Sequence, residues 1–399
     1  MKYFFFLFLA LLTTNALLAQ ELDSLLLDTN KDAIYARPFV LQGELGKSNI
    51  SLGGYVEGNT NYFATDGVSD GFSMELRRFN IFLYSSIADR IKFLAELEFE
   101  HGTEEIALET ALVDFEIDPA FIFRGGILLP PIGYFNQNHD GPKWEFIDRP
   151  LVSTTIIPAT LSEVGFGFHG KLPVQSNIFT YEAYVVNGLQ DDVVANEIGR
   201  TSLTNGKAEG MFAADNNGSP NLSGRIGFKK RDLGEVGLSY YGGLYNTFKT
   251  DGLVIDEKRR LDLLALDYNL TYKKLHVLGE FVRASIDVPS ELGPNFGQKQ
   301  WGLHTDFIYP IFEKPIFSFK ETTLNLNFRF EYVDYNKGTF TETGENIFDQ
   351  ITAITPGLSL RLYTNTVIKA NFRYLWERDV IGNPVTKTAG FQFGFASYF

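Results

Sequence analysis

Apolar and polar residues alternate one by one along many stretches of this chain. From Ile91 to Glu100, the odd positions are all apolar, and four of the five even positions are Lys or Glu. Segments 264–272, 324–332 and 368–376 follow the same rule. Side chains alternate across a β-strand, so each segment predicts a strand with one apolar and one polar face. Each is about ten residues long, the length that a tilted strand needs to cross a bilayer.

The last strand shows the contrast most clearly, and it stops at the final residue. Its aromatic face consists of Phe391, Phe393, Phe395 and Phe399. Between them lie the small or polar residues Gln392, Gly394 and Ala396. A soluble sheet would bury the phenylalanine face in a core. A barrel in lipid would turn that face outward and keep the polar face toward a water-filled lumen.

The connections between strands alternate in length. Short turns are predicted at 88–90, 118–120, 173–177, 231–234, 273–274, 310–317 and 364–366. Longer polar loops are predicted at 64–72, 101–105, 130–163, 188–221, 246–259, 287–297, 334–346 and 378–386. Together they join sixteen strands, and short periplasmic turns with long external loops are typical of outer-membrane barrels. We therefore predict an all-β, 16-stranded antiparallel transmembrane β-barrel.

Alternative soluble folds explain only part of this pattern, and two strands could take either register. A large secreted β-sandwich or propeller also explains the alternation, but not the regular turn and loop lengths, and no internal repeat supports a propeller. The register of two strands, 73–86 and 275–286, is ambiguous, because Arg77 or Arg283 would face lipid in one phase.

The N-terminus has the pattern of a secretory signal peptide. A lysine at position 2 precedes the apolar run 4–12, and small residues follow up to Ala19. The run is too short for a spanning helix. We expect a signal peptide over 1–19, a periplasmic arm over 20–48, and an outer-membrane barrel over 49–399.

Composition narrows the possible functions. The 399 residues include 37 Phe, 19 Tyr, 37 Gly and no Cys, which favours strands and excludes thiol chemistry. The net charge of −14 argues against nucleic acid as a partner. The histidines at 101, 139, 169, 276 and 304 lack metal-ligand spacing, which argues against a zinc site. The acidic runs 191–192 and 215–218 suit solvated loop tips better than calcium sites.

Three passages carry a family resemblance. They are 74–79 with 93–99, then 124–127 with 131–133, and finally 146–152 with 163–165 and 169–170. These passages resemble the phosphate-selective porin O and P family, in its Bacteroidetes-type form. The resemblance implies a sixteen-stranded channel, usually trimeric, with an inward-folded loop and cationic groups that attract anions.

Strand parity assigns charged residues to the lumen. The basic residues are Arg124, Lys171, Arg225, Lys229, Arg329, Arg361, Lys369 and Arg373. The acidic residues are Glu96, Glu98, Asp114, Glu116, Glu182, Asp267, Asp306 and Glu331. Four bases fall on the strands between 322 and 376, and four acids on those between 91 and 117. We hypothesise a transverse field across the pore, because charged walls select ions. The alternative is a lumen with solvated charges of both signs.

The long loop 130–163 is the predicted constriction. Its prolines at 130, 131, 142, 150 and 158 restrict φ and favour one loop shape. We expect the loop to fold inward and to present Lys143 and Arg149 to the pore. The alternative is that Arg149 attaches the loop to the wall through an acid.

These features predict an outer-membrane porin, a passive channel for small solutes. The leading solute class is anions such as phosphate. A general or cation-tolerant porin is one alternative, and a non-conducting barrel acting as adhesin or anchor is another. An outer-membrane hydrolase is a minor one, because no recognisable nucleophile site accompanies His304 and Asp306. We expect no cofactor, a homotrimer in outer-membrane lipid, and recognition of the strand ending at Phe399 by the barrel-assembly machinery.

Overall fold

The computed structural model describes residues 50–207, 212–380 and 383–399, and sixteen of their strands form a closed antiparallel barrel. The barrel strands are β1 (Ile50–Thr65), β2 (Phe72–Ala88), β3 (Ile91–Glu100), β4 (Glu105–Asp118), β5 (Phe121–Leu128), β6 (Glu163–Val174), β7 (Asn177–Val186), β8 (Asn221–Lys230), β9 (Gly234–Leu244), β12 (Arg260–Tyr272), β13 (Leu275–Ile286), β14 (Lys299–Glu313), β15 (Thr323–Asp334), β16 (Gln350–Tyr363), β17 (Thr366–Arg378) and β18 (Thr386–Tyr398). The predicted signal peptide and arm lie outside the described residues.

A few short elements lie in the connections. Strands β10 (Lys249–Thr250) and β11 (Leu253–Val254) form a small separate hairpin. Helix α1 spans Leu151–Thr155, and 3₁₀ turns span Gly141–Lys143 and Asp191–Val193. No helix among the described residues is long and apolar enough to cross a membrane.

Each barrel strand pairs with its neighbours in the chain, and the first and last strands close the circle. Strand β18 pairs with β17 on one side and with β1 on the other, in a register that runs from Tyr55–Tyr398 to Thr65–Thr388. Closure leaves no unpaired edge. The predicted 16-stranded antiparallel barrel is therefore confirmed.

The outer surface of the barrel is apolar. On β18 the side chains of Phe391 and Phe393 are 66% and 54% exposed. The ring of Phe399 stacks on Phe79 with centroids 5.6 Å apart, and it covers Gly54, where a Cβ would come within 2.6 Å of the ring. The phenylalanine face thus points outward, as a barrel in lipid requires. It does not form a core.

Two β-bulges settle part of the register that the sequence left open. The pairing of β1 with β2 steps from Glu57–Arg78 to Gly58–Leu76, so Arg77 is the extra residue. Both Arg77 and Arg78 then face the lumen, since a bulge places two successive residues opposite one. In β13, Arg283 is exposed on the outer face and pairs with Trp301 of β14.

A second bulge lies between β3 and β4. The pairing steps from Glu96–Thr110 to Leu97–Leu108, which leaves Glu109 as the extra residue. Glu109 and Thr110 are both buried on the inner side. Simple alternation counted from Asp114 would have put Glu109 in lipid.

The connections lie where the sequence predicts them, with one shifted boundary. The turn predicted at 310–317 lies at 314–322, because β14 continues to Glu313. The strand passes Pro310 through an irregularity in its pairing with β15 before Phe312. Proline lacks a ladder donor, and it is tolerated at such irregular positions.

The outward direction of the apolar face predicts a depth-dependent penalty for charge. Leu266 is the middle residue of β12 and is 44% exposed on the outer face. Leu266→Arg should lower the free energy of unfolding in lipid vesicles by about 2–4 kcal/mol, because arginine would lie at the bilayer midplane. Tyr272→Arg, on the same face at the strand end, should cost only about 0–1 kcal/mol. Equal penalties in urea titrations of both variants would contradict this orientation.

Candidate functional site

The connection between β5 and β6, residues 129–162, lies inside the barrel and is called the plug loop below. Ile132, Phe135 and Ile156 are buried almost completely. The loop forms hydrogen bonds or ion pairs with residues of β2, β3, β4, β7, β9, β12, β13, β15, β16, β17 and β18. The predicted inward fold of this loop is therefore what the structure describes.

Local sequence explains the shape of the plug loop. Gly133 has a φ of +67°, a conformation that glycine adopts without strain, and the loop reverses there after two prolines. Pro142 starts the 3₁₀ turn Gly141–Lys143, and Pro150 is the N-cap residue of α1. Prolines at the first turn cost no hydrogen bond, because those N–H groups have no helical partner.

Cationic side chains of β16 and β17 bind the middle of the plug loop. Arg361 donates from Nε to Glu145 Oε1 over 2.6 Å, and Ser359 donates to the second oxygen of the same carboxylate. Lys369 donates from Nζ to the carbonyl oxygens of Gly141 and Phe146, both at 2.9 Å. Lys369 is only 1% exposed, so these carbonyls replace its water shell.

Asp148 joins the plug loop to two strands, β2 and β17, that are separated in the barrel by β1 and β18. Its carboxylate accepts hydrogen bonds from Arg373 Nη1 of β17 at 2.7 Å and from Arg77 Nη1 of β2 at 3.0 Å. Burial raises the pKa of Asp148, but the positive charges of Arg373 and Arg77 lower it more, so the pKa lies well below that of an ordinary aspartate. The carboxylate is thus ionised at any physiological pH.

Arg329 is the largest fully buried side chain of the described residues. It makes a two-pronged ion pair with Asp306 of β14, at 2.6 Å on each side, and donates to the Asp148 carbonyl oxygen at 2.7 Å. Its guanidinium lies 4.3 Å from the centre of the Phe146 ring. Arg329 is therefore held from several sides at once. On the wall of an open pore, it would instead be hydrated.

An apolar layer completes the packing on this side of the lumen. Phe135 and Trp144 of the plug loop pack with Leu278 of β13 and Ile308 of β14. Helix α1 contacts β13, β14 and β15, with Val152 completely buried. The carboxylate of Glu280 accepts the backbone N–H of Tyr134 at 2.9 Å and the hydroxyl of Ser153.

The predicted acidic wall is also paired. Asn80 donates to Glu96 at 2.7 Å and to Glu98 at 2.8 Å, and Arg78 Nε lies 3.7 Å from Glu98. Arg124 makes a two-pronged pair with Asp114 at 2.7 and 2.8 Å and is 3% exposed. Arg124 thus neutralises Asp114, while Glu96 and Glu98 are held by the neutral amide of Asn80 and Glu98 also lies near the charge of Arg78.

The two predicted constriction residues take different positions. Lys143 is 22% exposed in its side chain and pairs with Asp140 at 3.2 Å. Arg149 donates to Thr160 Oγ1 at 3.3 Å and lies 3.9 Å from Glu98, while its Nε and Nη2 atoms make no hydrogen bond within the described residues. The ion pair between Arg149 and Glu98 is the wall attachment that sequence analysis left as the alternative.

Partly exposed charges lie toward the two ends of the lumen. At the short-turn end, Lys92 and Glu116 form a pair of 2.8 Å with 34% and 26% side-chain exposure. At the long-loop end, Glu75 is 25% exposed in its side chain and pairs with Arg77 at 3.1 Å. Between these ends, the plug loop and its partners are buried.

The connection between β7 and β8 covers the plug loop from the long-loop end. Within its described residues, Val193 and Leu203 are completely buried, and Lys207 donates to the Thr160 carbonyl oxygen at 2.9 Å. Asp191, one of the acidic residues considered for calcium, instead accepts hydrogen bonds from Thr247 N and Asn216 Nδ2.

Several residues that build the site had no signal in the sequence. Glu145 and Asp148 carry the main loop contacts, yet no periodicity marks residues in an irregular loop. Glu109 is hidden by a bulge, and Glu280 lies on a strand whose register was ambiguous. Asp148 is the exception among these residues, because it lies within the 146–152 passage that carries the family resemblance.

Comparisons with known proteins agree with the fold. No protein-family model matches the chain. An uncharacterised protein of Aquifex aeolicus is 35% identical over 151 residues, which cover 36% of this chain and 33% of that protein. An anion-selective porin from Comamonas acidovorans superposes with a TM-score of 0.55 and 13% identity, over 88% of this chain and all of that one.

Two further structures have the same architecture. The outer-membrane protein OmpT of Vibrio cholerae, in a loop-deletion mutant, gives a TM-score of 0.53 at 12% identity, covering 88% of this chain and 100% of that one. OmpF of Salmonella typhi gives 0.54 at 10% identity, covering 88% and 98%. The chain therefore has the fold of outer-membrane porins.

Loss of the Asp148 charge should loosen the plug loop. In Asp148→Asn, two guanidinium groups lose their shared acceptor, at a cost of about 1–3 kcal/mol. Hydrogen exchange over 141–155 should then be about 10- to 100-fold faster than in the wild type. Glu291→Gln, which changes an exposed loop acid, is the matched control.

The depressed pKa sets the pH window for the same contact. The stabilisation by Asp148 is complete above the unfolded pKa of about 3.9 and disappears only as pH falls below it. Protection factors of the wild-type loop should therefore be equal at pH 7 and pH 5. A loss of protection between these values would show that another group holds the loop.

Proposed function

We propose that this protein is an outer-membrane porin, a passive diffusion channel for small polar solutes. In this proposal the protein reaches the outer membrane by the secretory route. The supporting observation is a closed barrel with an apolar outer face, charged groups within it, and a loop that occupies the lumen. Diffusion needs no cofactor and no covalent chemistry. In this proposal, solutes pass along the lumen of the barrel, and the plug loop narrows that path.

Membership of the phosphate-selective porin O and P family belongs to the same proposal. Its support is that the quoted passages meet in space. Arg77 of the first passage donates a hydrogen bond to the Asp148 carboxylate of the third passage over 3.0 Å. The first and third passages are thus in direct contact.

Small anions, phosphate among them, are the leading solute class. Arg149 is the candidate anion contact, because its Nε and Nη2 atoms make no hydrogen bond among the described residues and its one nearby carboxylate, that of Glu98, is 3.9 Å away. Lys143 is the second, since its side chain is partly exposed. The other predicted pore-lining residues, Arg124, Arg329, Arg361, Lys369, Arg373, Glu96 and Glu98, are proposed to set the shape and charge balance of the lumen.

Two other functions remain open to the same experiments. The close pairing of lumenal charges and the net charge of −14 favour a general or cation-tolerant porin. The buried packing of the plug loop favours a barrel that does not conduct and serves as an adhesin or anchor. For assembly, we propose a homotrimer, following the trimeric form named for the Vibrio cholerae protein, and insertion by the barrel-assembly machinery through the strand ending at Phe399.

Removal of residues 141–155 should open the lumen. The deletion takes away α1, Glu145 and Asp148, so single-channel conductance in planar bilayers should rise severalfold. In the deletion variant, Arg361, Lys369 and Arg373 lose their partners in the plug loop and face the water-filled lumen. Changing all three to Gln in the deletion variant should move the zero-current potential in a KCl gradient toward cation preference.

The outcomes separate the candidate functions. A wild type without discrete conductance steps, together with a conducting deletion variant, would support the anchor and contradict the porin. Equal conductance of the wild type and the deletion variant would place the conducting path elsewhere than along the plug loop.

Anion preference should depend on the two loop cations. Lys143→Gln combined with Arg149→Gln should shift the zero-current potential of the full-length channel toward cations and weaken block by added phosphate. Lys249→Gln combined with Lys258→Gln removes the same charge from an external loop and is the control. An unchanged potential in the first variant would assign selectivity to other groups.

A further inference from the structure

Four metal-ligand side chains converge where the plug loop meets β3 and β4. His139 and Asp140 come from the loop, Glu96 from β3, and Glu109 from the bulge in β4. The His139 Nε2 atom lies 3.4 Å from Glu109 Oε2, 3.7 Å from Glu96 Oε1 and 3.7 Å from Asp140 Oδ1. All four residues are buried, with His139 only 1% exposed.

The orientation of His139 is set by its other ring nitrogen. The Nδ1 atom lies 3.0 Å from the carbonyl oxygen of Asn136, so it carries a proton and donates it there. The Nε2 atom is then directed at the three carboxylates, and it makes no hydrogen bond with any residue that the structure describes. A neutral ring would place a lone pair against carboxylate oxygens, which is repulsive unless a cation lies between them.

The distances favour a metal ion over a proton. A protonated Nε2 would draw one carboxylate oxygen to about 2.7–2.9 Å, as charge-assisted hydrogen bonds do. The three oxygens instead surround Nε2 at similar, longer distances. Ligands bound to zinc at about 2.0–2.2 Å in a tetrahedron lie about 3.4 Å apart. The ligand atoms of Glu96, His139 and Asp140 all lie within 4.8 Å of one another, and Glu109 Oε2 lies 3.4 Å from His139 Nε2.

Neighbouring groups hold the ligands in place from outside. Asn80 donates to Glu96 Oε1 at 2.7 Å, and the hydroxyl of Tyr398 donates to Asp140 Oδ2 at 2.7 Å. The Asn136 carbonyl oxygen fixes the His139 ring. Such outer contacts orient ligands and set the ring tautomer in metal sites.

We propose that Glu96, Glu109, His139 and Asp140 bind a divalent transition-metal cation, with Zn²⁺ as the best match. The imidazole nitrogen favours zinc over calcium and magnesium, which prefer all-oxygen sites. Two ligands belong to the plug loop and two to the wall, so the cation ties the loop to β3 and β4. Histidine spacing alone could not reveal this site, because its ligands come from three separate segments.

Metal binding by the full-length protein in detergent tests the site without reference to conductance. The protein is stripped with chelator, equilibrated with ZnCl₂ and gel-filtered, and bound zinc is measured by mass spectrometry. One zinc ion per barrel is expected, and Ca²⁺ in place of Zn²⁺ should not bind. His139→Asn and Glu109→Gln should each weaken zinc binding about 100-fold or more, exceeding the 10- to 100-fold typical of outer-contact changes.

His169→Asn is the matched control, because His169 is also a buried lumenal histidine with a carboxylate nearby, that of Asp114 at 3.7 Å, but it belongs to no cluster of three metal-ligand side chains among the described residues. It should bind zinc like the wild type. If His139→Asn fails to form a barrel, a zinc-soaked crystal of the wild type decides the question. Its anomalous peak should lie within about 2.2 Å of His139 Nε2.

Four results would overturn the proposed metal site. Absence of bound zinc in the wild type would leave His139 as a protonated partner of the carboxylates. Equal zinc binding by His139→Asn, or an anomalous peak elsewhere, would also reject the assignment. Preferential Ca²⁺ binding would contradict the transition-metal class. None of these outcomes depends on whether the barrel conducts.

Discussion

The structure depends on the burial of positive charge inside the barrel. Arg329 and Lys369 are removed from water, and an unpaired charge in that position costs several kcal/mol. Asp306 neutralises the first, while carbonyl oxygens of the plug loop surround the second. Because each side needs the other, the loop and the β15–β17 wall form one packed unit even though they are far apart in the chain.

This mutual dependence determines which charged side chains a solute in the lumen would encounter. Charges in the middle of the lumen are paired with partners from the loop or from adjacent strands, so they act mainly on loop position. Charges toward the two ends, such as Lys92 and Glu75, are partly hydrated. Asp148 is bound by β17 and β2, and His139 lies beside β3 and β4, so these contacts attach the plug loop along one continuous part of the wall, from β17 through β1 to β4.

The sequence predicted the barrel well because its evidence is local. Period-two alternation assigns a face to each strand, and turn residues divide one strand from the next. The outward phenylalanines of β18 and the inward position of Arg329 follow from parity alone. The family resemblance also led to the inward loop, although Lys143 and Arg149 were chosen there by charge and not by contact.

Only the tertiary structure decided the pairing of groups inside the lumen. Bulges at Arg77 and Glu109 each shift parity by one residue, and their positions depend on the neighbouring strand. Glu145 and Asp148 each have a partner more than two hundred residues away, Arg361 on β16 and Arg373 on β17. Alternation along one strand carries no information about such contacts, because they arise where an irregular loop meets a curved wall.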